Sequence, residues 1–422
     1  MTIRGTSQVA KRRVFYIPGY DPFPPRRYRE LYRKESRKQA LLSGYQIEQK
    51  PGSSDTGWLV RSRIEGGKTL SRIDVLVWSD LVRSSMSTGI IGTYFSLAKT
   101  SWTYFSTGTF RRLTWLRKGP VIAALYPVVM LLAQLMAALL VAGIATGTLE
   151  WGASLIAGFV GASVSGVAAT MLSVVSWGLF LGFAYLILKW FKSLDGKTFA
   201  YYLMNDFAYT ASKNGAYPDE IEARLHEFRH RIEAALRDED VDEVLIVGHS
   251  SGAHMAVSVV ADILRNQELG HEGPALSLLT LGQAIPMVSF LPDAKRLRRD
   301  LHDVSVSDQV AWLDVSAPGD GCSFALTDPV SVSGVAPGKG QRWPIIMSAA
   351  FSNTLSDELR ESMKWRFFRL HFQYLCAFDQ PGDYDYFKIT AGPTTLKARF
   401  GERQSSGQRI DVVASKFTSM VA

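Results

Sequence analysis

The chain has 422 residues, enough for one large catalytic domain with additions or for two domains. A hydrophobic content of 47% allows a sizeable core and excludes wholesale disorder. The net charge of +8 is uneven, because residues 1–119 hold 22 Lys and Arg against 8 Asp and Glu, which leaves the remainder acidic. A basic half beside an apolar stretch suggests anionic lipid headgroups, and the alternative is an ordinary solvated surface.

The N-terminal part, residues 1–86, reads as the first half of an α/β domain. Short apolar runs bounded by turn residues predict buried strands, and a basic stretch with an apolar edge predicts a helix. In chain order these are a strand at Val14–Ile17, a helix at Arg26–Leu42, a hairpin of Gly44–Gln49 and Gly57–Ile64, and a strand at Ile73–Trp78.

Residues 87–119 are rich in aromatic side chains with basic residues between them. Aromatic rings favour the membrane interface, so this segment is expected either to lie in that interface or to form a cap over an active site. The sequence leaves both alternatives open.

Residues 120–190 predict a transmembrane helical hairpin. Pro120 to Thr146 is uncharged and long enough to span a bilayer, whereas Trp151 to Leu188 exceeds one crossing and is expected to tilt, extend or break near Gly158–Gly166. Glu150 lies in the predicted connector, Gly147 to Gly152. The stripe of Gly161, Ser165 and Ala169 would allow close helix approach. The alternative is a buried helical hairpin in a soluble protein.

Basic residues flank this hairpin on both outer sides, at Arg111–Lys118 and at Lys189, Lys192 and Lys197. The positive-inside rule places both flanks in the cytoplasm. If the two polar halves form one domain, the number of crossings must be even, and two is the simplest number. We therefore expect an integral membrane protein with its polar domain on the cytoplasmic side.

Residues 191–393 predict the second half of the α/β domain, and residues 394–422 a tail with one modest strand candidate at Ile410–Ala414. Strands alternating with helices indicate a mostly parallel sheet flanked by helices. The predicted elements are helices at Pro218–Arg237, Ser251–Asn266 and Asp293–Leu301, and strands at Val244–Val247, Leu276–Leu281 and Val310–Val315.

Gly248-His249-Ser250-Ser251-Gly252 matches the Gly-x-Ser-x-Gly nucleophile elbow. It stands between a predicted strand and a predicted helix, as the elbow requires. A sharp turn there would hold Ser250 in a strained backbone conformation, with the glycines relieving crowding. The alternative is a plain Gly/Ser turn.

A serine nucleophile needs a base, and in this motif's chain order the acid and then the histidine follow the serine. His371 is the only histidine after Asp303, so it is the predicted base; its alternative role is structural. Asp320, in the loop after Val310–Val315, is the predicted acid, with Asp314 and Asp328 as rivals. His249 is expected to support the turn.

Two backbone amides are predicted to form an oxyanion hole. One is that of Ser251, directly after the nucleophile. The other is that of Tyr20, in the Pro18-Gly19-Tyr20 loop that follows the first strand. The alternative for this loop is an ordinary Pro-Gly turn.

These motifs resemble the α/β-hydrolase superfamily, within it lipase- and esterase-like members, and bacterial membrane-anchored relatives with a hydrophobic insertion. The resemblance covers Tyr16 to Asp21, Gly248 to Gly252, the strand and loop ending at Asp320, and His371. The oxyanion loop departs from it, reading Pro-Gly-Tyr where many lipases have His-Gly.

The resemblance implies that Ser250 attacks an acyl carbonyl, His371 takes its proton, and water releases the acyl-enzyme. The implied substrate is a membrane-partitioned ester or thioester, without metal or organic cofactor, at a bacterial inner membrane. One alternative is an inactive scaffold of the same fold. Another is a transport component, but neither predicted span carries a charge, which argues against a polar conduction path. Nucleic-acid binding is not expected, because no such motif appears.

Overall fold

A computed structural model describes residues 7–52, 55–160, 166–266 and 273–421. The chain forms two compact units. The sheet unit comprises Met1–Ser85, Trp102–Ala123 and Thr210–Ala422, and the apolar-helix unit comprises Met86–Ser101 and Ala124–Tyr209.

The sheet unit is built on one eight-stranded sheet in the order β2-β3-β4-β1-β5-β6-β7-β8. The strands from β4 onward along this order are parallel to one another, and β3 runs antiparallel to both β2 and β4. The strands are β1 (Lys11–Ile17), β2 (Gln46–Pro51), β3 (Gly57–Ile64), β4 (Gly67–Val75), β5 (Glu243–His249), β6 (Ala275–Leu281), β7 (Val310–Ser316) and β8 (Ile345–Ser348).

The two polar halves of the chain share this sheet, because β1 pairs with β4 on one side and with β5 on the other. Val14 lies opposite Ile73 in β4 and opposite Leu245 in β5. All residues of β5 and β7 are buried. Continuous apolar runs suit such central strands, since helices cover both faces of a parallel sheet. The α/β class and the mostly parallel sheet are thus confirmed.

Helices flank the sheet and form the second unit. They are α1 (Arg26–Ser43), α2 (Ser79–Ser85), α3 (Ile90–Ser106), α4 (Thr109–Leu113), α5 (Lys118–Val160), α6 (Val167–Ser193), α7 (Asp195–Thr198), α8 (Ala200–Ala211), α9 (Asp219–Leu236), α10 (Gly252–Asn266), α11 (Ile285–Ser289), α12 (Lys295–Val306), α13 (Pro329–Val332), α14 (Phe351–Thr354), α15 (Asp357–Met363), α16 (Phe367–His371), α17 (Tyr386–Ala391) and α18 (Leu396–Phe400).

Most predicted elements of the sheet unit are present, and the main differences among the strands are three. Strand β4 begins earlier than predicted, at Gly67, because it completes a second antiparallel hairpin with β3. Strand β8 was not predicted from sequence. The strand predicted at Ile410–Ala414 is wrong, because Ile410 forms only an isolated bridge with Thr327.

In the apolar-helix unit, two helices are long and apolar enough to cross a membrane, α5 with 43 residues and α6 with 27. The predicted connector at Gly147 to Gly152 is wrong, because α5 continues through it to Val160. At about 1.5 Å per residue, α5 is roughly 65 Å long, about twice one crossing. Of the predicted stripe, Gly161 and Ser165 lie outside the described residues, and Ala169 is exposed.

Glu150 consequently lies inside an apolar helix, where it accepts a hydrogen bond from the Ser176 hydroxyl of α6. The expectation that neither apolar helix carries a charged residue is therefore wrong. A glutamate among glycines is a pattern typical of a connector, but glycines are also frequent in membrane-type apolar helices, so the pattern does not distinguish the two.

The aromatic segment predicted at residues 87–119 is helical over most of its length and contributes to both units. Its later part packs against the stretch that follows β6, where Tyr104 donates to the Met287 carbonyl at 2.9 Å and Thr109 donates to the Phe290 carbonyl at 3.0 Å. Its earlier part buries Leu97 in a cluster with Leu131 and Tyr201 of the apolar-helix unit.

Candidate active site

Ser250 stands at the carboxyl end of β5, in the turn that leads into α10. Its φ of 55° lies in the left-handed region, which a residue other than glycine rarely adopts. Its amide donates to the Leu281 carbonyl of β6 at 2.9 Å, which ties the turn to the neighbouring strand. Such local strain persists only where surrounding contacts impose it.

The chain packs closely around the two glycines of the motif, and this packing supplies those contacts. A Cβ built on Gly248 would lie 2.7 Å from the Cβ of Ala256, and one built on Gly252 would lie 2.3 Å from the Ile17 carbonyl oxygen. Both approaches are closer than a side chain tolerates. The turn therefore requires glycine at both positions, because α10 packs directly against β5 and the end of β1.

His371 and Asp320 form a buried pair beside this turn. His371 is the last residue of α16, and Asp320 lies in the loop after β7. His371 Nδ1 is 2.7 Å from Asp320 Oδ2, so the ring donates Nδ1–H to the carboxylate. This bond leaves Nε2 as the acceptor, and Nε2 is buried without a hydrogen-bond partner in the part of the chain described.

The Asp320 carboxylate is also held by two further donors. Tyr374 donates its hydroxyl to Oδ2 at 2.9 Å, and the Cys322 amide donates to Oδ1 at 2.9 Å. Burial alone would raise the pKa of Asp320, but His371 and these donors outweigh it and hold the pKa below its usual range. Asp320 is thus ionised and oriented toward the imidazole.

The rival acids lie in other surroundings. Asp314 is buried within β7, where it accepts a hydrogen bond from Thr280 at 2.6 Å. Asp328 caps α13 and accepts from the Ser331 hydroxyl at 2.7 Å. Among these three aspartates, only Asp320 contacts His371 in the described structure.

Gly282 brings the pair next to Ser250. His249 and Leu281 lie opposite each other in β5 and β6, so the residues that follow them, Ser250 and Gly282, are neighbours. A Cβ on Gly282 would lie 3.1 Å from His371 Cε1, which shows how closely the ring packs over this residue. Ser250 Oγ makes no hydrogen bond to His371 Nε2 in the described structure.

Two other histidines have structural contacts. His249 Nε2 donates to the His371 carbonyl at 3.0 Å, and the two rings lie 4.7 Å apart. Burial and the nearby His371 lower the pKa of His249 to about 3, so it stays neutral, and its hydrogen bond joins the end of β5 to the end of α16. His254 stacks on Tyr217, with its Nδ1 3.0 Å from the tyrosine hydroxyl.

The loop after β1 lies directly over Ser250. A Cβ on Gly19 would lie 3.0 Å from Ser250 Cβ and 3.3 Å from the His249 carbonyl oxygen, so a side chain there would require its neighbours to shift. The Tyr20 side chain points elsewhere, its hydroxyl 2.6 Å from Ser85 Oγ and its ring edge-on to Trp78. The Ser251 amide makes no hydrogen bond with another described residue, so it is available to a ligand.

This loop and the Ser250 turn lie at the carboxyl ends of adjacent strands, β1 and β5. The strands that follow β1 in the chain, β2 to β4, lie on one side of it within the sheet, and β5 lies on its other side. Such a point of diverging connections leaves a crevice, and it is where α/β sheets bind ligands.

Sequence reasoning missed Tyr374 and Gly282, because their roles depend on the fold and no local motif marks them. It also missed a set of metal-type donors. Ligand atoms of Asp320, Cys322 and His371 lie within 4.8 Å of one another. A carboxylate, a thiolate and an imidazole are the ligands that zinc prefers, so this set could hold a metal ion.

The comparisons with known proteins identify no relative: no family model, no curated protein and no solved structure matches this chain.

Proposed function

We propose that this protein is a serine hydrolase of the α/β-hydrolase type that cleaves an ester or thioester through an acyl-enzyme. The observation that carries the proposal is the strained Ser250 turn beside a buried His371–Asp320 pair whose Nε2 has no described partner. The chain order serine, aspartate, histidine is that of this superfamily.

In this mechanism, His371 Nε2 removes the Ser250 hydroxyl proton as Oγ attacks the acyl carbonyl carbon. Asp320 keeps the acceptor nitrogen turned toward the serine and stabilises the imidazolium. The amides of Ser251 and Tyr20 donate to the carbonyl oxygen as it becomes negative. The imidazolium then protonates the leaving oxygen or sulfur, and a water deprotonated by His371 hydrolyses the acyl-enzyme.

The two apolar helices support a membrane location and hence a membrane-partitioned substrate. Basic flanks on both sides of the helix pair favour a cytoplasmic site, at a bacterial inner membrane by the resemblance. The halves before and after the helix pair share one sheet, which is consistent with an even number of crossings.

The test is to trap the intermediate. Protein in detergent micelles is quenched with acid during turnover of short- and long-chain p-nitrophenyl esters, and its peptides are mapped by mass spectrometry. We expect the acyl mass on the peptide containing Ser250, and none in Ser250→Ala. Acylation of another residue, or no turnover by folded protein, would refute the proposal and favour an inactive scaffold.

A second candidate is metal-dependent hydrolysis at Asp320, Cys322 and His371, favoured by the proximity of their ligand atoms. It predicts that a chelator abolishes turnover, that zinc restores it, and that Ser250→Ala retains it. The serine mechanism predicts that a chelator leaves turnover unchanged and that Ser250→Ala abolishes it.

A further inference from the structure

An exposed segment with aromatic and basic side chains leads directly to His371. We call this segment, Lys364–Arg369, the aromatic–basic loop; it reads Lys-Trp-Arg-Phe-Phe-Arg and comprises the link from α15 to α16 together with the first residues of α16. Trp365 is 79% exposed and Phe367 is 53% exposed, with their rings edge-on at 6.2 Å. Trp365 also has a φ of 65°, a backbone conformation that a residue other than glycine rarely adopts.

The charge of this loop is positive only. From Ser362 to Phe378 the sequence has no acidic residue. Lys364 pairs with Glu361 at 2.9 Å, whereas Arg366 and Arg369 form no ion pair with any described residue. Exposed tryptophan beside unpaired arginine is the composition that suits a membrane interface with anionic headgroups.

The aromatic–basic loop adjoins the loop of Asp320. A Cβ on Gly321 would lie 3.7 Å from Phe367 Cδ1, and one on Gly119 would lie 3.1 Å from Gly321 Cα. Gly321 therefore has Phe367 on one side and the first turn of α5 on another, all within the sheet unit.

A second pair of an aromatic and a basic side chain precedes that first turn. Trp115 is 54% exposed, and the Arg112 guanidinium lies 4.5 Å from its ring centroid. Arg117 donates to the Ala325 carbonyl at 2.8 Å, which fastens this stretch to the same loop. A second pair of Trp and Arg thus precedes the helix turn that contacts the residue after Asp320.

We propose that an anionic lipid surface docks on the aromatic–basic loop, so that lipid-borne substrate enters the site at the loops of Asp320 and His371. The docking stands on the exposure, charge and position of this loop, while the delivery of substrate rests on the proposed function. Each arginine near an anionic surface strengthens its binding by about fivefold, so reversing both is expected to weaken docking by at least roughly 30-fold.

The test uses the full chain in nanodiscs of phosphatidylcholine, with or without phosphatidylglycerol and with acyl chains brominated near the headgroup. Bromine quenches nearby tryptophan, and the difference between wild type and Trp365→Phe isolates the Trp365 signal. We expect this signal to be quenched only with phosphatidylglycerol, and the quenching to be lost in Arg366→Glu/Arg369→Glu. Arg61→Glu/Arg63→Glu, exposed on β3, is the matched charge control and should retain it.

Hydrolysis is measured in the same discs with a lipid-embedded ester and with a soluble short-chain ester. We expect Arg366→Glu/Arg369→Glu to lose at least tenfold in rate on the embedded ester and to keep its rate on the soluble one. Trp365 that is not quenched in either lipid would overturn the docking, whatever the hydrolysis. Quenching without hydrolysis of either ester would retain the docking and refute the proposed function.

Discussion

Replacing Gly282 with alanine tests how tightly the candidate site is packed. The added Cβ would lie 2.6 Å from Tyr374 Cε2, 3.1 Å from His371 Cε1 and 3.2 Å from Asp320 Oδ2. Gly282 also has a φ of 50°, which costs alanine about 1–2 kcal/mol. Overpacking adds about 1–3 kcal/mol, so we expect the free energy of unfolding to fall by roughly 2–5 kcal/mol.

The matched control is Gly66→Ala, in the turn between β3 and β4. Gly66 has a φ of 77°, but a Cβ there would meet nothing within 4 Å, so this variant pays the backbone cost alone. Thermal unfolding in detergent micelles should show a melting temperature lower by about 2–6 °C for Gly282→Ala, and a smaller decrease for the control.

The same variants are compared for their rate of reaction with a fluorophosphonate, at a temperature where both are folded. We expect Gly282→Ala to react at least tenfold more slowly, because the new methyl group displaces the His371 ring, and the control to react normally. Equal melting temperatures and equal reaction rates for the two variants would refute the packing described around His371.

Three further substitutions test other parts of the account. Arg12→Met leaves the Glu243 carboxylate buried without its cation. Denaturant titration should therefore show a free energy of unfolding lower by about 3–5 kcal/mol. The double variant Arg12→Met/Glu243→Gln should recover much of that loss. Burial raises the pKa of Asp314 to about 7, so the folded state retains a proton that the unfolded state loses near pH 4. The free energy of unfolding should therefore fall as the pH rises from about 4 to 7. Asp314→Asn should remove this contribution to the pH dependence. Tyr374→Phe removes a hydroxyl that donates to the Asp320 carboxylate, so kcat/KM for ester hydrolysis should fall by about 10- to 100-fold, and an unchanged value would show that this bond does not support the reaction.

The sequence predicted the central strands well, because β1, β5, β6 and β7 are continuous apolar runs bounded by turns. It did not predict β8, which has only four residues, too few to display a pattern. It extended a strand over Ile410–Ala414, where local composition suits a strand but only one bridge forms.

For the candidate site, sequence order and loop position predicted Asp320 and His371 as partners, and the structure brings these two residues into contact. Tyr374 and Gly282 could not be found in this way, because their contacts join segments far apart in the chain. The pairing of Glu150 with Ser176 was missed for the same reason: it joins two helices across the apolar-helix unit, and the local pattern around Glu150 favoured a connector.

The most direct test of the central claim is labelling by a fluorophosphonate probe in membranes that contain the full chain. The wild type is compared with Ser250→Ala, His371→Ala and Asp314→Asn, each checked for folding. We predict that the wild type and Asp314→Asn are labelled and that the other two variants are not. Labelling that survives Ser250→Ala, or a folded wild type that does not react, would contradict the assignment of Ser250 as an activated nucleophile.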